Sequence, residues 1–172
     1  MKHSFTALDP QQALHVAIII EERNAELYQR FAEMFVEFGD GESLEVADVF
    51  WEMAIEERRH GSLLQGMYAE RYGNSSCTLT DEDLLEFIEV PRLEDGDLFA
   101  KNGGKFPHGR DRALQVALKA EVGAQLFYSS LAENTEAGPL RSVYRDLAEV
   151  EDGHVTFLER KMAGDPADDK LN

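Results

Sequence analysis

Four stretches of this chain carry apolar residues at alternating spacings of three and four, and a glutamate interrupts each of the four stripes. The first stripe runs Leu14, Ala17, Ile18, Glu21, Ala25, Tyr28, Phe31, Ala32, Phe35, Phe38; the second runs Val46, Phe50, Met53, Glu57, His60, Gly61, Leu64, Met67. The third reads Leu114, Ala117, Leu118, Glu121, Ala124, Tyr128, Leu131, Ala132, and the fourth Leu140, Val143, Leu147, Glu151, His154, Phe157, Leu158. This spacing lines one face of an amphipathic helix, and the apolar face is the one that packs inward. Glu22, Glu56 and Glu149 fall instead among polar neighbours on the flanks, the arrangement of solvated surfaces. Six ionisable groups therefore point into the core: Glu21, Glu57, His60, Glu121, Glu151 and His154. Four carboxylates left unpartnered there cost several kcal/mol each, against a total stability of about 5–15 kcal/mol for a typical domain. A cationic partner is required.

Local signals bound the helices. Asp9-Pro10 followed by Gln12 is a capped start with proline at the first helical position, and it predicts a helix over about 10–38 that stops at Gly39-Asp40-Gly41. Ser43 is the expected cap of a second helix over about 43–71, broken by Gly73-Asn74-Ser75-Ser76. A third helix is expected over 111–134 and, after the turn at Gly138-Pro139, a fourth over 139–162. Residues 74–110 form a long connection in which Thr80-Asp81-Glu82-Asp83 caps a short helix carrying Leu84, Leu85, Phe87 and Ile88. The polar tail from Gly164 is expected to fray. Two helical hairpins joined by one long crossover make an all-α four-helix bundle, read as a single domain over 1–172.

The two halves repeat. Glu21 and Tyr28 match Glu121 and Tyr128, each pair two helical turns apart, while Glu57-Arg58-Arg59-His60 matches Glu151-Asp152-Gly153-His154. Height agrees as well: Glu21 and Glu57 lie 18 residues on either side of Gly39, and Glu121 and Glu151 lie 15 on either side of Glu136. In antiparallel hairpins with a common rise per residue, equal distances from the turn bring both carboxylates to one level. A Glu-x-x-His pair presents one oxygen and one nitrogen ligand from one helix face, and two further glutamates complete a dinuclear metal site. In this reading Glu57, His60, Glu151 and His154 hold the ions individually, with Glu21 and Glu121 bridging them or closing the site. A chain with 21 glutamates and 5 histidines shows a Glu-x-x-His by chance roughly 0.6 times, so stripe position, duplication and height carry the inference. The alternative for His60 and His154 is core histidines hydrogen-bonded to carbonyls. Tyr28 and Tyr128 are read as core aromatics or as hydrogen-bond partners of the glutamates near them. Imidazole and carboxylate ligands together suit iron or manganese, with zinc as a further option.

Composition limits the partners. A formal net charge of −17 disfavours nucleic acid and anionic membrane surfaces and favours cations. The longest uninterrupted aliphatic run, Ala17 to Ile20, is far too short to span a membrane. Cys77 alone permits no Cys-x-x-Cys pair, which fits a cytoplasmic protein.

Glu21-Glu22-Arg23-Asn24-Ala25-Glu26-Leu27-Tyr28 and Glu56-Glu57-Arg58-Arg59-His60 resemble the rubrerythrin and ferritin-like superfamily of di-iron carboxylate bundles, over about residues 10–162. The resemblance implies a ferritin-like fold, two iron ions held by the six core residues, and oxidoreductase chemistry on O2 or H2O2. It also implies a homodimer. Rubrerythrins proper add a rubredoxin-like domain with two Cys-x-x-Cys pairs; a single cysteine leaves the electrons to an external donor. The extra glutamate one turn after the third-helix ligand is here Ala124, so the expected set is the six-ligand type of bacterioferritin-like centres. The short tail disfavours a cage. Alternatives to the oxidoreductase are a ferroxidase that passes iron to a store, and a helical interaction protein with a structural metal.

Overall fold

Asp9 forms the expected capping box: its Oδ1 accepts from the Gln12 backbone N–H at 2.9 Å, and Gln12 Oε1 accepts from the Asp9 N–H at 3.0 Å. Helix α1 accordingly starts at Pro10 and ends at Phe38 in a computed structural model of the chain, which describes residues 8–73, 75, 77, 79 and 109–163. Gly39 closes α1 in the left-handed region at φ 71°, a conformation that a side chain makes unfavourable. Helix α2 spans Gly41–Tyr72, and its cap is Asp40 in place of the expected Ser43: Asp40 Oδ1 accepts from the Ser43 N–H at 2.9 Å. That bond and one from the Ser43 hydroxyl hold the Asp40 carboxyl below its ordinary range. Helix α3 spans Gly109–Asn134, beginning at Gly109 and not at Asp111, and α4 spans Pro139–Ala163. The short helix expected after Thr80, most of the 74–110 connection and the tail from Gly164 lie outside the described residues.

Among the described residues there are four helices and no strand, arranged as a ferritin-like four-helix bundle. α1 packs on α2 and α3 on α4, and α1 also meets α3. Tyr28 hydrogen-bonds to Glu121 and Tyr128 to Glu21, so residue numbers rise along α1 as they fall along α3. The two helices are antiparallel, and α2 ends at the opposite end of the bundle from the start of α3.

The core falls into two apolar clusters. One contains Phe31, Phe35, Phe50, Met53, Leu114 and Leu158, with Phe50 beside the Tyr28, Phe31 and Phe35 rings. The other contains Leu14, Ile18, Leu64, Phe127, Tyr144 and Leu147. Between them, on all four helices, lies the layer of charge that interrupts the four stripes.

Candidate metal centre

Each helix delivers one glutamate to this layer, and Glu21, Glu57, Glu121 and Glu151 are all fully buried. α2 adds His60 and α4 adds His154, each one turn after its glutamate. One ligand atom from each of Glu21, Glu57, His60 and Glu151 lies within 4.8 Å of the others, and the same holds for Glu57, Glu121, Glu151 and His154. The six residues expected from the stripes thus converge, as two overlapping groups of four. The members common to both groups are Glu57 and Glu151, while Glu21 and Glu121 belong to one group each.

Both imidazoles turn Nδ1 inward. His154 Nδ1 is 3.2 Å from Glu151 Oε2, 3.3 Å from Glu121 Oε2 and 3.4 Å from Glu57 Oε1. His60 Nδ1 is 3.3 Å from Glu21 Oε2 and 3.7 Å from Glu57 Oε2. Glu21 Oε2, both Glu57 oxygens, Glu151 Oε1 and His60 Nδ1 are buried without a hydrogen bond. Buried polar atoms are almost always paired, and orphans gathered at one point mark a missing partner. Since these orphans are carboxylate oxygens and an imidazole nitrogen, the partner they fit is a metal cation.

Proton retention shows the same deficit. Burial, reinforced by the other glutamates, pushes the Glu57 carboxyl well above its usual range. Burial and then the Glu121 charge do the same to Glu151. Burial also acts to raise Glu121, but hydrogen bonds with Glu151 and His154 outweigh it and leave that carboxyl lowered. For His154 burial acts downward, and hydrogen bonds to Glu121, Glu151 and Glu56 overcome it, pushing the imidazole up to about 12. Without metal, protons on Glu57, Glu151 and His154 relieve the repulsion between the four carboxyl groups.

The tyrosines bond across the bundle. Each is separated by two turns from the glutamate on its own helix, yet Tyr28 of α1 donates to Glu121 Oε1 of α3 and Tyr128 of α3 donates to Glu21 Oε1 of α1. Burial and the neighbouring carboxylates raise both phenols well above their ordinary value, so both remain donors. Each bond occupies Oε1 of its glutamate, and Oε2 turns toward the inward Nδ1 of His60 or His154.

Sequence reasoning missed two residues. Glu56, expected on a solvated flank, accepts from His154 Nε2 at 3.0 Å. That hydrogen bond holds its carboxyl below the usual range. Asn24, one turn after Glu21, is buried with neither amide atom hydrogen-bonded; its polar neighbours in the motif concealed it. Arg58, an exposed residue of α2, reaches α1 and donates to Gln29.

The family model described as Rubrerythrin matches residues 12–94 and 112–170. The chain belongs to the rubrerythrin family. No curated protein and no solved structure shows a significant match. Rubrerythrin membership implies iron binding, and the Glu/His cluster provides donors suited to it. Cys77 is a half-buried free thiol, and Ala124, one turn after Glu121, is buried. No described helix is long and apolar enough to cross a membrane.

Proposed function

We propose that this rubrerythrin-family chain is a di-iron oxidoreductase that reduces O2 or H2O2 with electrons from an external donor. The observation that carries the reading is the pair of overlapping donor groups, buried on all four helices and sharing Glu57 and Glu151. Glu21 and His60 would hold one ion, Glu121 and His154 the other, with Glu57 and Glu151 between them. Two ferrous ions bound there supply two electrons, enough to convert one H2O2 and two protons into two waters.

The chain's own contribution is charge, orientation and exclusion of water. Four buried carboxylates match the charge of two divalent ions, which favours their uptake by a bundle that otherwise retains protons. Tyr28 and Tyr128 orient the closing glutamates, and the apolar clusters above and below limit access of solvent. Manganese or zinc could occupy the same donors, but only a redox-active ion supports the reaction. A homodimer and a cytoplasmic setting complete the proposal.

Ala124 favours a second reading, ferroxidase activity with iron as the substrate, because the donor set stops at six. Mixing the anaerobic ferrous protein separately with O2 and H2O2 tests both. Repeated peroxide turnover in the presence of a reductant supports the oxidoreductase. Accumulation of far more than two irons per chain under Fe2+ and O2 supports iron handling. No oxidation-linked absorbance change with either oxidant contradicts both and leaves a structural metal.

A further inference from the structure

The ligands of the two halves repeat, but their surroundings do not. His154 is 3% exposed and its Nε2 donates to Glu56 Oε2 at 3.0 Å; His60 is 17% exposed, and its Nε2 has no acceptor among the described residues. Glu56 immediately precedes the Glu-x-x-His glutamate of α2. Immediately before that of α4 stands Val150, an exposed side chain that accepts no hydrogen bond.

An imidazole ligates through Nδ1 only when that nitrogen carries no proton, which in the neutral ring places the proton on Nε2. An acceptor at Nε2 fixes this tautomer, holds the ring in position and makes Nδ1 a better donor. His154 has such an acceptor and almost no solvent contact. His60 has none among the described residues and is more exposed, at 17%.

Resting on the metal-centre reading above, we propose that Glu56 is a positioning residue that makes the two metal positions unequal. The ion in the Glu57, Glu121, Glu151 and His154 group is bound first and released last. The ion in the Glu21, Glu57, His60 and Glu151 group is the exchangeable one, arriving and leaving on the His60 side.

Release of Fe2+ from the anaerobically loaded protein to a chromogenic chelator tests this. Wild type is expected to release its two ions in two phases of equal amplitude. Glu56→Leu should accelerate the slow phase by about 10–100-fold, the usual effect of losing a partner of a ligating histidine, and leave the fast phase in place. Glu56→Gln keeps an acceptor oxygen and should restore most of the slow phase, which a purely structural role for the charge does not predict. Val150→Glu supplies the missing carboxylate in the other half and should slow the fast phase. Helical circular dichroism establishes that each variant is folded. Single-phase release of both ions from wild type overturns the inference while leaving a two-iron centre standing, as does a slow phase that Glu56→Leu leaves unchanged. A wild-type protein that binds no Fe2+ overturns the metal-centre reading itself.

Discussion

Glu57 and Glu151 belong to both donor groups, whereas Glu21 and Glu121 belong to one each. Losing a shared glutamate therefore affects two positions at once. Glu57→Ala or Glu151→Ala should leave less than one tightly held iron per chain, and Glu121→Ala should retain about one, as metal analysis after gel filtration would show. Two irons retained in both Glu57→Ala and Glu151→Ala would remove the shared role. The tyrosines make a second prediction at this scale. Tyr28→Phe leaves Glu121 Oε1 buried without its phenolic donor, and Tyr128→Phe does the same to Glu21 Oε1. Each substitution should lower the stability of the metal-free protein by about 1–3 kcal/mol in urea denaturation, the range for an orphaned buried acceptor. No change in either variant would mean that the phenols serve only as core aromatics.

The helices carry the geometry, and their ends differ in how far sequence determines them. The α1 start was legible because Asp9, Pro10 and Gln12 act together in one motif. The α2 start was not, because Asp40 and Ser43 are both good caps and only the folded backbone shows which of them accepts a hydrogen bond and which donates. Asp40→Ala should consequently lower the melting temperature more than Ser43→Ala does. Gly39→Ala should destabilise by about 1–2 kcal/mol, the usual cost of a side chain in the left-handed region. Equal effects of Asp40→Ala and Ser43→Ala would return the cap to Ser43. The inward-facing glutamates were legible for a reason like that at the α1 start: helical periodicity is a property of one segment. The crossed tyrosine bonds depend on the direction of α3 relative to α1, which no single segment records. Glu56 was missed because a flank residue can reach across to a neighbouring helix, and a stripe drawn on α2 alone places it outside.

For the whole molecule, the acid excess behind the net charge of −17 has a buried part and an outer part. The four buried glutamates oppose folding of the empty bundle, and the protons held by Glu57, Glu151 and His154 compensate. Metal must displace those protons to reach the same atoms. Ferrous iron uptake at neutral pH should accordingly release protons, measurable as a buffer-dependent binding heat, and affinity should fall on acidification because the metal-free form holds more protons. Loading should also raise the melting temperature by mass action, since the metal binds the folded form. Binding heats that are independent of buffer would show that the site is already deprotonated.

The central claim is that four helices converge to hold two ions in one buried centre. Anaerobic titration of the metal-free chain with Fe2+, followed by calorimetry, tests it most directly. Saturation at two equivalents per chain, reduced by Glu57→Ala and by Glu151→Ala, is the expected result. Saturation at zero or one, or at two in both variants, would contradict a centre built on those shared glutamates.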